Sequence, residues 1–389
     1  MIRAGQNMRI AIIKSNYTPF GGAEKYTTRL IRAFAARGVA VDVLTSELGK
    51  WDGIENNIGW VRLSQVKRNN LLRLLTFNSA AKRYLRKEPY HCILGMDRTD
   101  YQTHLRAGSG CHAAWIERRC AESSPLRCLS VKANPFHKAM LGIERRAFLS
   151  DSLRKIFCNS FLVRNEIFRY YPSTDSKLQV VHNGVEWNEF TDKFEKGLSQ
   201  NKKLRESLGL GKDRFYYLFL GSGYERKGLM KAIRALGMLP DHTGLLVVGK
   251  DRNENRYKTC CQKEGLSHRV HFFGPQREVT SFLQVADAFV LPTIYDPFSN
   301  ASLEALAMGL YTITSNANGC AEIISDGAGY VIKDLRDTGS VAEAMKNALG
   351  AHLSKWEIRE TVKHLDFDGQ LKEIVDVCLT DASMKNINA

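Results

Sequence analysis

Residues 291–322, LPTIYDPFSNASLEALAMGLYTITSNANGCAE, decide how the chain is read. The apolar run 288–291 ends at Pro292 and has the character of a buried strand. A polar loop follows, carrying Asp296, Pro297, Phe298, Ser299 and Asn300. Residues 302–308 begin a helix of small, apolar and acidic residues, stopped at Gly309. The apolar run 311–315 reads as the next strand. Polar groups therefore gather at the carboxyl end of a strand, where open α/β sheets take their ligands. The helix start offers free N–H groups and partial positive charge, which suits a phosphate. Glu304, read as inside the first turn, can accept two hydrogen bonds from a diol such as a ribose. Asp296, eight positions upstream, can face the same cleft. An acidic region opening an ordinary α/β helix has the same local pattern; the remaining motifs decide between the two.

The opening of the chain repeats the βαβ pattern. A strand at 9–15, a helix at 23–36 closed by Gly38 and a strand at 41–46 read as a Rossmann half. Gly21 and Gly22 precede the helix and let a backbone approach a ligand closely. Strands follow at 58–63 and 91–96, with a basic helix at 69–87 between them. The segment after Met96 is dense in reactive groups, among them Asp97, Arg98, Asp100, His104, Arg106 and His112. Residues 113–150 read as helical and cationic. Strands at 155–160 and 178–182 flank a helix at 161–170. Asn183-Gly184 then favours a turn, and the domain boundary is placed there. A peripheral helix is expected within 192–212.

The second half repeats the α/β logic. A strand at 215–220 runs into Gly221-Ser222-Gly223 and then Arg226-Lys227. Two adjacent cations at a strand–helix junction can neutralise a diphosphate. Strands at 245–249, 270–273 (ending in Gly274-Pro275) and 328–333 follow, with a helical tail over about 338–384. No short repeat or low-complexity tract interrupts the chain.

With these residues in place, the chain resembles retaining glycosyltransferases of family 4, whose donor signature is two acids separated by seven residues. The resemblance runs from Met8 onward and is nearest to lipopolysaccharide-core enzymes that glucosylate inner-core heptose. It implies a GT-B fold, α/β, with two Rossmann-like domains facing a central cleft. The implied division is 8–183 for the acceptor domain and 184–365 for the nucleotide-sugar domain, with 366–389 a helix returning to the first. In the family the second acid holds the ribose, so Glu304 takes that role. Asp296 stands where the family usually has Glu, beside the donor sugar. Arg226 and Lys227 match the pair on the diphosphate, while Phe298, Ser299, Asn300 and Ala301 present backbone to the donor. Gly21, Gly22, Gly223 and Gly274 line the same donor. His104 is the catalytic candidate of the first domain, with Asp97, Arg98, Arg106 and His112 as acceptor contacts. The implied reaction is retaining and metal-independent, with a UDP-sugar as co-substrate and no cofactor. Asp366-Phe367-Asp368, the only D-x-D, is read as surface. The alternative on the same architecture is a nucleotide-sugar 2-epimerase.

Composition bounds the partners. The 389 residues suffice for two or three domains, and 44% hydrophobic with 25% charged residues is a globular balance. No apolar run approaches the roughly 20 residues that span a bilayer, and no hydrophobic leader region is read at the start. The nine cysteines show no C-x-x-C pair or zinc spacing, so reduced thiols are expected. Net charge is +15, and residues 1–182 carry 30 Lys and Arg against 14 Asp and Glu. That excess fits an anionic glycolipid acceptor at an anionic membrane surface, on the cytoplasmic face of an inner membrane. A nucleic-acid partner is suggested by charge alone and has no recognisable module behind it.

Overall fold

The computed structural model describes residues 8–16, 22–47, 57–121 and 123–385. The chain forms two compact units, Met1–His182 with Asp368–Ala389, and Asn183–Phe367.

The first unit is built on a seven-stranded sheet. Its strands are β1 (Arg9–Ile13), β2 (Ala40–Thr45), β3 (Ile58–Arg62), β4 (Cys92–Gly95), β5 (His104–Arg106), β6 (Lys155–Cys158) and β7 (Leu178–Val180). Their order is β3-β2-β1-β4-β5-β6-β7, and every pairing is parallel. The second unit has six strands: β8 (Phe215–Leu220), β9 (Thr243–Val248), β10 (Val270–Gly274), β11 (Ala288–Leu291), β12 (Tyr311–Ser315) and β13 (Gly329–Ile332). Their order, β10-β9-β8-β11-β12-β13, is again wholly parallel. Each unit is therefore a doubly wound, Rossmann-like α/β domain, and the pair is the two-domain GT-B-like architecture. Strands such as FYYLFL and AFVL are apolar on both faces because helices cover both sides of a parallel sheet.

The sheet order marks where folds of this kind take a ligand in the second unit. Strand order reverses between β8 and β11, so their following loops lie side by side at the carboxyl edge. Such a switch point leaves a crevice that helices do not fill.

Three expectations need correction. A strand not expected from the sequence, β5, lies inside the segment dense in reactive groups, in the interior of the seven-stranded sheet. The helical stretch 113–150 is broken into His112–Ala121, Pro125–Ala133 and Pro135–Phe148. Pro125 and Pro135 stand at helix starts, where a missing N–H costs nothing. Across the first break Cys120 and Cys128 form a disulfide, with Cα atoms 4.7 Å apart, so not every cysteine is a thiol. Among the described residues no helix is long and apolar enough to cross a membrane.

Candidate active site

The loops after β8 and β11 are stitched together through Arg226. Its carbonyl accepts from the Ile294 amide at 2.9 Å and from Thr293 Oγ1 at 2.9 Å. Gly228 permits the approach: its φ is +81°, and a Cβ there would lie 1.9 Å from the Pro292 carbonyl oxygen. Only glycine meets both demands. Gly223, also left-handed at φ 75°, donates its amide to the Lys250 carbonyl at 3.1 Å and opens the short helix Tyr224–Lys227.

That stitching brings Arg226, Lys227 and Asp296 together. Lys227 Nζ stands 2.5 Å from Asp296 Oδ2, and Arg226 Nη1 stands 3.2 Å from the same oxygen. Arg226 Nη1 also donates to the Tyr295 carbonyl at 2.9 Å. Asp296 is buried, and its backbone is pinned on both sides: its amide donates to Ala317 O at 3.0 Å and its carbonyl accepts from Gly319 N at 2.9 Å. Burial alone would raise the Asp296 pKa. The charges of Lys227 and Arg226 outweigh it and hold the carboxyl below its usual range. Two cations against one anion leave a positive surplus where Lys227 and Asp296 are buried and Arg226 reaches solvent.

The helix Asn300–Ala307 begins beside this cluster in the sequence, and Ser299 is its N-cap, accepting from Ser302 N at 3.2 Å. Asn300 Oδ1 accepts from Asn183 Nδ2 at 2.8 Å. Glu304 is half-buried and lies in the second turn, since no acid occupies the first; that corrects the expected position. Phe298 and Ser299 are buried, Asn300 and Ala301 half-buried. Gly274 ends β10 at φ 65° and accepts from Gly249 N at 3.0 Å. Gly21 lies outside the described residues, and Gly22 opens the helix Gly22–Ala35.

Sequence reasoning missed Asn318, which organises the loop. Its Oδ1 accepts from Ser299 N and Cys320 N, both at 3.1 Å. Its Nδ2 donates to Thr314 Oγ1 at 2.9 Å and Ser302 Oγ at 3.3 Å. All four capacities of one buried amide are thus used to hold the N-cap against β12. An Asn between Ala and Gly carries no sequence signal of this.

The first unit gives a different account of its reactive segment. His104 is wholly buried, with Nε2 3.1 Å from Asp381 Oδ2 of the C-terminal helix and Nδ1 3.3 Å from Cys92 Sγ. An imidazole enclosed in this way cannot reach a sugar, so the expected catalytic role of His104 is withdrawn. Arg106 is buried too: it donates to Val181 O at 2.7 Å and lies over the Tyr26 ring. It holds the sheet and is no acceptor contact. Asp97 ties the end of β1, accepting from Ser15 N at 2.6 Å and Lys14 Nζ at 2.9 Å.

Arg98 and His112 belong to one buried network. Arg98 donates to Gly110 O at 2.9 Å and Ser109 O at 3.1 Å, and its Nη1 lies 3.2 Å from His112 Nδ1. A guanidinium only donates, so His112 Nδ1 accepts and its Nε2 carries the proton toward His137 Nδ1 at 3.2 Å. Burial, with Arg98 and His137 adding to it, holds the His112 pKa down at about 3. Below sits Glu144, also missed, which accepts from His112 N at 2.6 Å and Ala113 N at 3.2 Å at the start of the helix His112–Ala121. His112 is therefore a neutral, enclosed packing residue rather than an acceptor contact.

Comparison with known proteins gives this geometry a family. A glycosyltransferase family 4 model matches residues 20–188, and a glycosyl transferases group 1 model matches residues 200–361. The lipopolysaccharide glucosyltransferase WaaG of Escherichia coli is 23% identical over 365 residues, 92% of this chain and 94% of the relative. The crystal structure of WaaG superposes with a TM-score of 0.79 at 22% identity, covering 95% of this chain and 99% of that one. Anabaena HepE, solved with UDP, has a TM-score of 0.71 at 16% identity, covering 95% and 99%. With a family 4 domain in the first unit and a group 1 domain in the second, the chain is a glycosyltransferase of the GT-B type, related to the lipopolysaccharide glucosyltransferases.

Proposed function

We propose that the protein moves a hexose, glucose in this reading, from a UDP-sugar to an anionic glycolipid of the lipopolysaccharide-core kind, with retention and without a metal. The observation that carries the reading is the Arg226–Lys227–Asp296 cluster at the β8/β11 switch point, with Asp296 in the loop that leads into the helix Asn300–Ala307. UDP fits it by charge, and UDP is the ligand held by the HepE structure. Breaking the sugar C1–O bond puts negative charge on the leaving diphosphate as the sugar gains oxocarbenium character. Arg226, Lys227 and the N-terminal amides of the helix stabilise that charge as it grows, which lowers the barrier more than it tightens ground-state binding. They supply the positive charge that a divalent ion supplies elsewhere. Glu304 binds the ribose diol. The donor phosphate accepts the proton of the attacking hydroxyl on the same face, which preserves the anomeric configuration. Asp296 sets the two cations and contacts donor hydroxyls once the phosphate shares those cations.

The acceptor side rests on charge and shape in the first unit. The helix Pro125–Ala133 exposes Leu126 and Leu129 at 81% and 65%, with Arg127 and Lys132 on the same short helix. Apolar side chains among cations suit the headgroup layer of an anionic bilayer. It supports a position at the cytoplasmic face of an inner membrane, beside a membrane-embedded acceptor.

Calorimetric titration with UDP tests the donor half. Arg226→Ala and Lys227→Ala each weaken binding by about tenfold or more, and unchanged affinity in both sinks the assignment. Radiolabelled UDP-glucose with heptose-terminated core glycolipid tests the acceptor half. Turnover of the nucleotide sugar to an epimer with no acceptor present would favour the 2-epimerase instead.

A further inference from the structure

The first unit contains a second cluster that donor chemistry does not use. Cys92 opens β4, His104 opens the neighbouring β5, and Cys378 lies on the helix Phe367–Lys385. Leu94 pairs with His104, so Cys92, two residues before Leu94, shares the face of the sheet that carries His104. All three residues are fully buried, and Cys92 Sγ, Cys378 Sγ and a ring nitrogen of His104 lie within 4.8 Å of one another.

The geometry suits a single ion. Zn–S bonds of about 2.3 Å and a Zn–N bond of about 2.0 Å in a tetrahedron put sulfur and nitrogen roughly 3.5 Å apart. Cys92 Sγ and His104 Nδ1 are 3.3 Å apart. The other ring nitrogen, Nε2, faces Asp381 Oδ2 at 3.1 Å. A carboxylate on the far nitrogen is how proteins fix the tautomer of a metal-binding imidazole and aim its free lone pair. Thr103 Oγ1, 2.9 Å from Nδ1, adds an oxygen at the edge of the same space. Two thiolates and one neutral imidazole cancel the charge of a divalent cation, and the Asp381 carboxylate beyond Nε2 keeps partial access to solvent. Sulfur and imidazole ligands select zinc over the oxygen-seeking ions.

We propose that Cys92, His104 and Cys378 bind one zinc ion, which fastens the C-terminal helix to the sheet of the first unit. Binding forms two Zn–S bonds and one Zn–N bond, keeps one water as the fourth ligand and releases two thiol protons to solvent, with no change of oxidation state. The role is structural, so it stands apart from the donor chemistry of the second unit.

The test uses the full chain, purified with and without added zinc and freed of loose metal. Mass spectrometry of the metal content should find about one zinc per wild-type chain. The Cys92→Ser/Cys378→Ser double variant should lose nearly all of it. Cobalt loaded into the wild-type chain should show a thiolate-to-cobalt charge-transfer band in the near ultraviolet. Chelation should lower the melting temperature by several degrees. A zinc-free wild-type chain after zinc exposure, or zinc fully retained by the double variant, overturns the proposal. So does a Cys92–Cys378 disulfide peptide in a non-reducing digest. If the variant does not fold, the cobalt spectrum decides, and absence of the thiolate band is the overturning result.

Discussion

Asp296 sits between Lys227 and Arg226 where a phosphate would otherwise meet them. Removing it leaves two close cations in a largely buried corner. Asp296→Ala should therefore lower stability by about 2–4 kcal/mol, since a buried pair broken on one side loses more than the pair was worth. If UDP binds as proposed, it supplies negative charge to the same cations, so the rise in melting temperature on adding UDP should be larger in the variant than in the wild type. Equal rises in both proteins would falsify the view that carboxylate and phosphate share these cations. A second residue-scale expectation concerns pH. His112, with a pKa held down at about 3, stays neutral in the folded chain while the unfolded chain takes up a proton below about 6.5. Its contribution is complete above the unfolded value and is lost as pH falls toward the folded one. Between pH 7 and pH 5 that loss amounts to about 1–2 kcal/mol. Urea midpoints for wild type and His112→Gln at both pH values measure it: the variant's decline should be shallower, and parallel declines refute the assignment.

At the scale of elements, the helix Asn300–Ala307 is held at both ends by residues outside it. Ser299 and Asn318 fix its start. Arg359 fixes its end: the buried guanidinium donates from Nη1 to the Ala307 carbonyl and from Nη2 to Thr191 Oγ1, and lies 3.8 Å from the centre of the Trp187 ring. A cation at a helix carboxyl end also meets the favourable end of its dipole. Arg359→Met keeps the bulk and removes the donors, leaving a buried carbonyl unsatisfied. The expected cost is about 2–4 kcal/mol in thermal or urea unfolding, with weaker UDP binding because the helix start moves with its end. A loss below about 0.5 kcal/mol, the size of an ordinary surface change, would remove Arg359 from this role. The strand β5 shows why some elements stay hidden in a sequence. A buried parallel strand is normally an apolar run. His-Leu-Arg has two long polar side chains instead, and their partners include Asp381, Cys92 and the Val181 carbonyl. Those partners come from other strands and from the last helix, so no local window contains the signal.

On the scale of the whole molecule, charge is divided as unevenly as chemistry. Residues 1–182 hold an excess of 16 positive charges, while the remainder carries 26 Lys and Arg against 27 Asp and Glu. If the first unit meets an anionic bilayer, co-sedimentation with phosphatidylglycerol vesicles should exceed that with phosphatidylcholine at least several-fold. The difference should shrink steeply as salt shortens the screening length from about 10 Å at 0.1 M. Leu126→Ser/Leu129→Ser should weaken what remains at high salt. Equal binding to both vesicles would end the electrostatic account.

What the amino-acid sequence determined by itself was the class and the residues that gather at the β8/β11 switch point. Apolar runs of strand length alternate with amphipathic helices, and Gly-Ser-Gly before Arg226-Lys227, with Asp296 in the loop after β11, is a local pattern. Local patterns survive without coordinates because strand ends and helix starts are set by neighbouring residues. What only the tertiary structure decided was which polar groups are free to do chemistry. His104, Arg106 and His112 look reactive in a line of text. Burial, and partners tens to hundreds of residues away, make them parts of the interior. Exposure and pairing across the fold are long-range properties, and the same residue type serves either use.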